Sequence, residues 1–423
     1  MDTFRGARHK SIFFFSGLFN ELEKFQKLNY NKLLFLGFFR VMLKTIVDDD
    51  DLRFGFGRNW ADFVASRLND SVVEASRLHM ADMLRAESLE GKTFIDIGSG
   101  SGIHSLAALR LGAERIISFD YDRDSVATTR KVRQHAGSPA NWEVMQGSVL
   151  DAAFMASLPT ADIVYSWGVL HHTGAMWSAV RNAASLLKPD SVFYIALYSS
   201  DNYVDPPPSY WMKVKRRYNM SSSVGRRLLE WRYALRFHIL PELKAGRNPV
   251  ALIRDYGSRG MTYWIDVRDW LGGWPMDFAS LAETRDFAAR EFGLTLLNLK
   301  TGEGCTEYVF ARPELNAHWR MIEASRAIMP LEGPFHAAGG HHYSASLPPH
   351  LESVANTNEL PRRSTVMLYE NGVPLGLGHS MHDHITRFGC GRFSHWGSNL
   401  HFSTSDNSDP NTNGRDYTYC ERY

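Results

Sequence analysis

An α/β fold built on a doubly wound, mostly parallel seven-stranded sheet is what this sequence predicts, and three observations predict it. From about residue 70 to 312, short β-rich runs alternate with helical ones, the pattern of strand–helix–strand crossovers. One of these runs, Thr93–Ile97, leads straight into "GSGSG" (Gly98–Gly102) and then a helical pattern, so bare backbone lies at the tip of a buried strand. The next β-rich run closes on an acid, Asp120.

Taken in order, residues 1–50 read as one or two amphipathic helices that end at the acid run Asp48–Asp51. Their apolar runs, "SIFFFSGLF" and "LLFLGFFRVMLK", fall short of the ~20 residues a membrane span needs. Lys24, Lys27, Lys32, Arg40 and Lys44 interrupt them, and no small-residue cleavage site follows, so a secretory leader is not expected. These helices are expected to pack on the body or on a second subunit of a homo-oligomer; peripheral membrane contact is the sharper alternative. The main domain is expected over 51–315. Its strands read as Thr93–Ile97, Arg115–Phe119, Asn141–Gln146, Ile163–Ser166, Ser191–Tyr198, Thr295–Thr301 and Tyr308–Arg312. The clearest helix, Trp177–Leu187, is expected to stop at Lys188-Pro189-Asp190. A helical, basic insertion at about 200–280 is expected to form a lid. After a linker, 316–344, the composition turns to Gly, His, Ser, Asn and Pro, and 345–423 reads as a small β-rich domain.

Bulk composition narrows the partners. The chain is 44% hydrophobic and 22% charged with a net charge of +1, which gives no global attraction for nucleic acid. Cys305, Cys390 and Cys420 lie far apart without C-x-x-C spacing. That suits a reducing, cytoplasmic setting and neither a disulfide framework nor a thiolate zinc site.

Glycine-rich turns serve phosphates, dinucleotides and S-adenosylmethionine alike. Dinucleotide sites usually read G-x-G-x-x-G, whereas here the glycines run G-x-G-x-G and Ile103 stands where the third would belong. Asp120 suits the two hydroxyls of a ribose, and so indicates a nucleoside without saying which. Later segments separate the two: "VMQGSVLD" after the third strand, "ADIVYSWGVLHHT" ending the fourth, and "NAASLLKPDSVFYIALY" leading into the fifth. This series resembles class I S-adenosylmethionine-dependent methyltransferases, in particular the quinone and natural-product O-methyltransferases. The resemblance covers about residues 50–312 and implies a Rossmann-like methyltransferase fold.

It also implies residue roles. Asp96, Gly98, Ser99, Gly100 and Gly102 would hold the methionine part of S-adenosylmethionine, Asp120 the ribose, and Ser148 with Val149 the adenine. Phe54 and Trp60, in a segment placed to cover the cofactor, and Trp167 are further cofactor-binding candidates. The family usually has an acid where this chain has Ser148 and Gly-Gly where it has Asp190-Ser191. Shedding the proton of a hydroxyl acceptor calls for a base, and "LHHT" supplies His171 and His172, with His171 slightly favoured. Ser166-Trp167-Gly168-Val169 replaces the Asn/Asp-Pro-Pro-aromatic motif of nucleobase N-methyltransferases, which disfavours that class and nucleic acid as partner. In the insertion, Arg259, Tyr263, Trp264 and Asp266 are candidates for a substrate wall, with ordinary lid packing as the competing reading.

The expected activity is therefore O-methylation of a small-molecule, quinol or glycan-precursor hydroxyl. An NAD-type oxidoreductase and an inactive binding protein of the same fold are the rivals. The tail is without a family resemblance. Its histidines His379, His382 and His384 lack an established zinc spacing, so no metal is expected there. The "DPNTNG" stretch from Asp409 reads as an Asx-bonded turn rather than a calcium loop.

Overall fold

The computed structural model describes residue 55 and residues 57–256, 263–301, 304–314 and 328–421. The expected helices of 1–50, and the candidates Phe54 and Arg259, lie outside them. The core domain runs α1 (Gly57–Arg67), α2 (Asp70–Leu84), β1 (Thr93–Ile97), α3 (Ile103–Arg110), β2 (Arg115–Asp120), α4 (Arg123–His135), β3 (Trp142–Gln146), α5 (Ala152–Ser157), β4 (Ala161–Trp167), α6 (Met176–Ala184) and β5 (Leu187–Tyr198). Five lid helices follow: α7 (Pro208–Asn219), α8 (Ser223–Ala234), α9 (Leu240–Lys244), α10 (Pro249–Arg254) and α11 (Tyr263–Gly272). The domain closes with α12 (Leu281–Phe292), β6 (Thr295–Thr301) and β7 (Cys305–Ala311).

The seven strands form one sheet in the order β3-β2-β1-β4-β5-β7-β6. The first five are parallel, and β7 runs antiparallel to both neighbours. Strand order reverses between β1 and β4, which leaves a crevice at the carboxyl ends of these strands. Both faces are buried because the strands are apolar on alternate residues and between. Ile95, Ile117, Phe119 and Phe193 pack on α6 and α12, while Phe94, Ile116, Tyr165 and Tyr194 pack on α2 and α3.

Two element boundaries differ from expectation. Helix α6 ends at Ala184, and Pro189 and Asp190 belong to the start of β5, where the pairing with β4 shifts register between Ala161 and Ile163. An irregular strand start is a place where proline is tolerated. Strand β7 begins at Cys305, so Glu307 lies inside it and not in a turn. Buried Glu307 meets His79 Nε2 at 2.8 Å and the Tyr194 hydroxyl. Burial works to raise its pKa, yet His79, Tyr194 and Lys300 hold it at about 2.

The tail starts earlier than expected, with β8 at Met329–Pro330 and β9 at His336–Gly339. It continues through β10 (His342–Ser346), β11 (Val366–Glu370), β12 (Val373–Pro374), α13 (His382–Phe388), β13 (Phe393–Trp396), β14 (Asn399–Phe402) and β15 (Tyr417–Glu421). Two four-stranded sheets, β13-β14-β10-β9 and β12-β11-β15-β8, enclose a core of Leu347, Leu368, Phe393, Leu400, Phe402 and Tyr417. This sandwich is fastened to the sheet domain. Buried Arg392 reaches the Asp201 carboxylate at 3.3 Å, and Arg85 donates to the Tyr369 hydroxyl at 3.2 Å. Val373 packs on the main core. Arg392→Ala should lower stability by about 2 kcal/mol, less than a fully enclosed pair because Asp201 is part-exposed. Urea denaturation measures it; an unchanged midpoint would show that the tail is held by other contacts.

Candidate active site

At the carboxyl end of β1, Asp96 is 1% exposed and accepts a hydrogen bond from Ser105 Oγ at 2.5 Å. Ser105 in turn meets Ser118 Oγ at 2.7 Å, and Trp142 Nε1 donates to Ser118 at 2.7 Å. This buried chain of hydroxyls fixes the carboxyl from below. Burial raises the Asp96 pKa to about 7, with Ser105 opposing and the charge of Asp120 adding to the rise. A group in that state gains most from a cation placed beside it.

The glycine turn follows directly. Gly98, Gly100 and Gly102 all have positive φ, of 76°, 53° and 77°. An added Cβ would collide at Gly98 with the Val169 side chain at 2.4 Å and would be crowded at Gly100 by Trp60 Nε1 at 3.0 Å, besides the strain. Trp60, on α1, therefore lies against the glycine turn. The backbone of Gly57 ties α1 to Asp122 Oδ2 at 2.9 Å. Ser99 turns its hydroxyl to Thr129 Oγ1 at 2.9 Å, so its side chain braces the turn against α4.

Asp120 ends β2 and accepts from Gly100 N at 3.0 Å and Asp122 N at 2.9 Å. Burial pushes its pKa up to about 6 against these amides. The cap of α4 is the neighbouring Asp122, which accepts from Asp124 N at 2.8 Å. Ser148 bonds within its own turn, accepting from Leu150 N at 3.2 Å, and Val149 is buried in the core. Trp167 closes β4 with its ring 5.9 Å from that of His104.

The histidine loop abuts the cradle through Val169. His171 is fully buried, and among the described residues neither ring nitrogen has a hydrogen-bond partner. Burial, then His172 and Lys215, hold its pKa well below the usual histidine range. His172 is partly exposed, and its Nδ1 lies 2.8 Å from the Pro275 carbonyl. A carbonyl only accepts, so Nδ1 carries a proton, and in the neutral ring Nε2 then holds the lone pair.

Around the pair stand aromatic residues that the sequence reading missed. Tyr198 lies 4.2 Å from His171 and 5.5 Å from His172, ring to ring. Tyr203, Trp270 and Phe278 continue from it. Lys215, also buried, sits 3.9 Å over the Trp270 ring and donates to the Trp270 carbonyl. Tyr198 was the one legible member, since it ends the strand beside the switch point.

The described candidates for the substrate wall make contacts within the lid. Tyr263 is buried in the lid's own core and bonds His238 Nδ1 at 2.8 Å. Trp264 packs on Trp231 at 4.7 Å, and Asp266 accepts from Tyr256. These three side chains hold lid helices together, the contacts expected of the lid-packing reading. In the tail, the histidines drawn together are His342, His382 and His401, with His342 Nε2 2.9 Å from His401 Nδ1. Among the described residues no group of His, Cys, Asp or Glu is placed to hold a metal. Asp409 accepts from Asn411 N at 2.9 Å, as an Asx turn does.

Residues 72–248 match a family model described as a methyltransferase domain. The chain carries a class I methyltransferase domain. The reversed β7 fits this fold and departs from the 3-2-1-4-5-6 order of the dinucleotide-binding one. Among curated relatives, the ubiquinone biosynthesis O-methyltransferase of Methylobacterium sp. (strain 4-46) is 30% identical over 122 residues, 29% of this chain and 47% of that protein. The ribosomal protein L11 methyltransferase of Tolumonas auensis is 38% identical over 76 residues, 18% and 26% respectively. The chain thus spans half or less of these relatives' length. Among solved structures, the magnesium protoporphyrin IX methyltransferase of Synechocystis PCC 6803 with bound S-adenosylmethionine aligns at 13% identity and TM-score 0.38, over 64% of this chain and 99% of that one. The residues of the methyltransferase cradle fit S-adenosylmethionine: bare glycines whose left-handed backbone a Cβ would strain, a buried carboxyl suited to an ammonium, and a strand-end acid suited to a ribose.

Gly98→Ala should destabilise the protein by about 1–3 kcal/mol through strain and overlap with Val169. Adding Val169→Ala should restore part of the loss, as read from melting temperatures in a double-mutant cycle. Full additivity would show that the cradle and the histidine loop do not touch.

Proposed function

We propose that the protein transfers a methyl group from S-adenosylmethionine to a hydroxyl of a small, flat acceptor, with His172 as general base. The observation that carries this is the His172–Pro275 hydrogen bond, which fixes the imidazole in the tautomer with a basic Nε2. His172 is preferred to the fully enclosed His171 because a base has to reach the proton it removes.

When bound, S-adenosylmethionine supplies an electrophilic methyl group. Asp96 and the glycine turn would hold its methionine end and Asp120 its ribose. Trp60 would exclude water from above. The chain's own contribution to the reaction is positioning: Tyr198, Tyr203, Trp270 and Phe278 favour an aromatic or quinol-like ring set between them. His172 then takes the hydroxyl proton as the oxygen becomes a nucleophile. Burial keeps His171 neutral, with His172 and then Lys215 adding to the effect, and the buried Lys215 would favour an anionic oxygen there. The O-methyltransferase among the relatives supports the acceptor class.

The test is transfer of labelled methyl groups to a panel of catechols and quinols. His172→Gln should lower kcat about a hundredfold or more, with a smaller effect on KM. Wild-type turnover by that variant would remove His172 as the base. Transfer to amines with none to hydroxyls would overturn the acceptor class.

A further inference from the structure

The outer face of the lid carries a feature that methyl transfer does not use. Val224, Leu228, Trp231 and Leu235 follow one another along α8 and into the π turn after it, at spacings of four, three and four. Residues so spaced fall on one narrow strip of a helix surface. They are 69%, 67%, 48% and 49% exposed. The opposite side of the helix, with Leu229, Tyr233 and Ala234, fills the lid core. Beyond the turn, exposed Leu240 and Leu243 prolong the apolar surface.

Charge flanks this strip. Arg227 and Arg232 are exposed and project on either side of it. From Pro208 to Arg254 the lid holds eleven Lys and Arg but two Glu. Scattered exposed apolar residues need no explanation, but four in register between arginines have the pattern of an interfacial amphipathic helix.

We propose that this face docks the protein on an anionic membrane surface. The apolar strip would enter the boundary between headgroups and acyl chains while the arginines meet lipid phosphates. Nucleic acid explains the charge but leaves the strip without a use. The proposal is independent of residues 1–51 and of the acceptor assigned above.

The full chain would be sedimented with vesicles of equal phosphatidylglycerol and phosphatidylcholine, and with phosphatidylcholine alone. Binding to the anionic vesicles should exceed binding to the neutral ones and weaken as salt rises. The pair Leu228→Glu and Leu235→Glu should lower the partition coefficient about tenfold or more. Arg227→Gln with Arg232→Gln should lower it severalfold, and unchanged melting temperatures would show that both variants fold. Because residues 1–51 are present throughout, a loss locates the contact on the lid. Equal partitioning of wild type and the leucine variant, or no vesicle binding at all, would overturn the proposal. So would light scattering in which the leucine pair dissolves a self-associated form that never binds vesicles, which would make the strip a contact between copies.

Discussion

A carboxyl group buried at the end of the first strand is the constraint around which the rest is arranged. Asp96 is held by Ser105, backed by Ser118 and Trp142, and lies near a second strand-end acid, Asp120. Taking a carboxylate out of water is unfavourable unless it is paired or hydrogen-bonded. The fold meets this with hydroxyls beneath it. Positive-φ glycines follow from the same need, because the chain has to turn within a residue of a buried acid. Trp60 and Val169 then close over the turn where any side chain would stand.

The histidine loop is the second half of the site, and Val169 joins it to the first. That contact means the cradle and the histidine loop are set by one packing arrangement. The lid provides its own core from Tyr218, Tyr263, Val267 and Leu271, so it behaves as a unit laid over the sheet edge. Its inner side brings Lys215 and Trp270 toward the imidazoles, while its outer side presents the leucine strip.

How much of this was legible in the sequence depended on how local each signal was. Thr93–Ile97 and Thr295–Thr301 were readable to the residue because short β-rich runs are marked off by glycine, Gly98 after the first and Gly293 and Gly302 around the second. Asp96, the glycines and Asp120 were readable because one short stretch and the strand after it hold them all. The end of α6 was not: Pro189 signals a helix stop, yet it sits in an irregular strand start whose register only the partner strand defines. Tyr203, Trp270 and Phe278 converge on Tyr198 from separate segments, which no local pattern records. Aromatic density alone does not separate lid packing from a ligand wall at Tyr263 and Trp264, since a helix packing on its neighbours and one facing a ligand share one periodicity. In the tail, His342 joins His382 and His401 through the pairing of β10 with β14.

The most direct test of the account is a carbon-13 NMR titration of the Asp96 carboxyl in the full chain, alone and with S-adenosylhomocysteine. Alone, the group should titrate at about 7. Bound, with an ammonium beside it, the midpoint should fall by about one pH unit or more. An ordinary midpoint of about 4 in both samples would contradict the account.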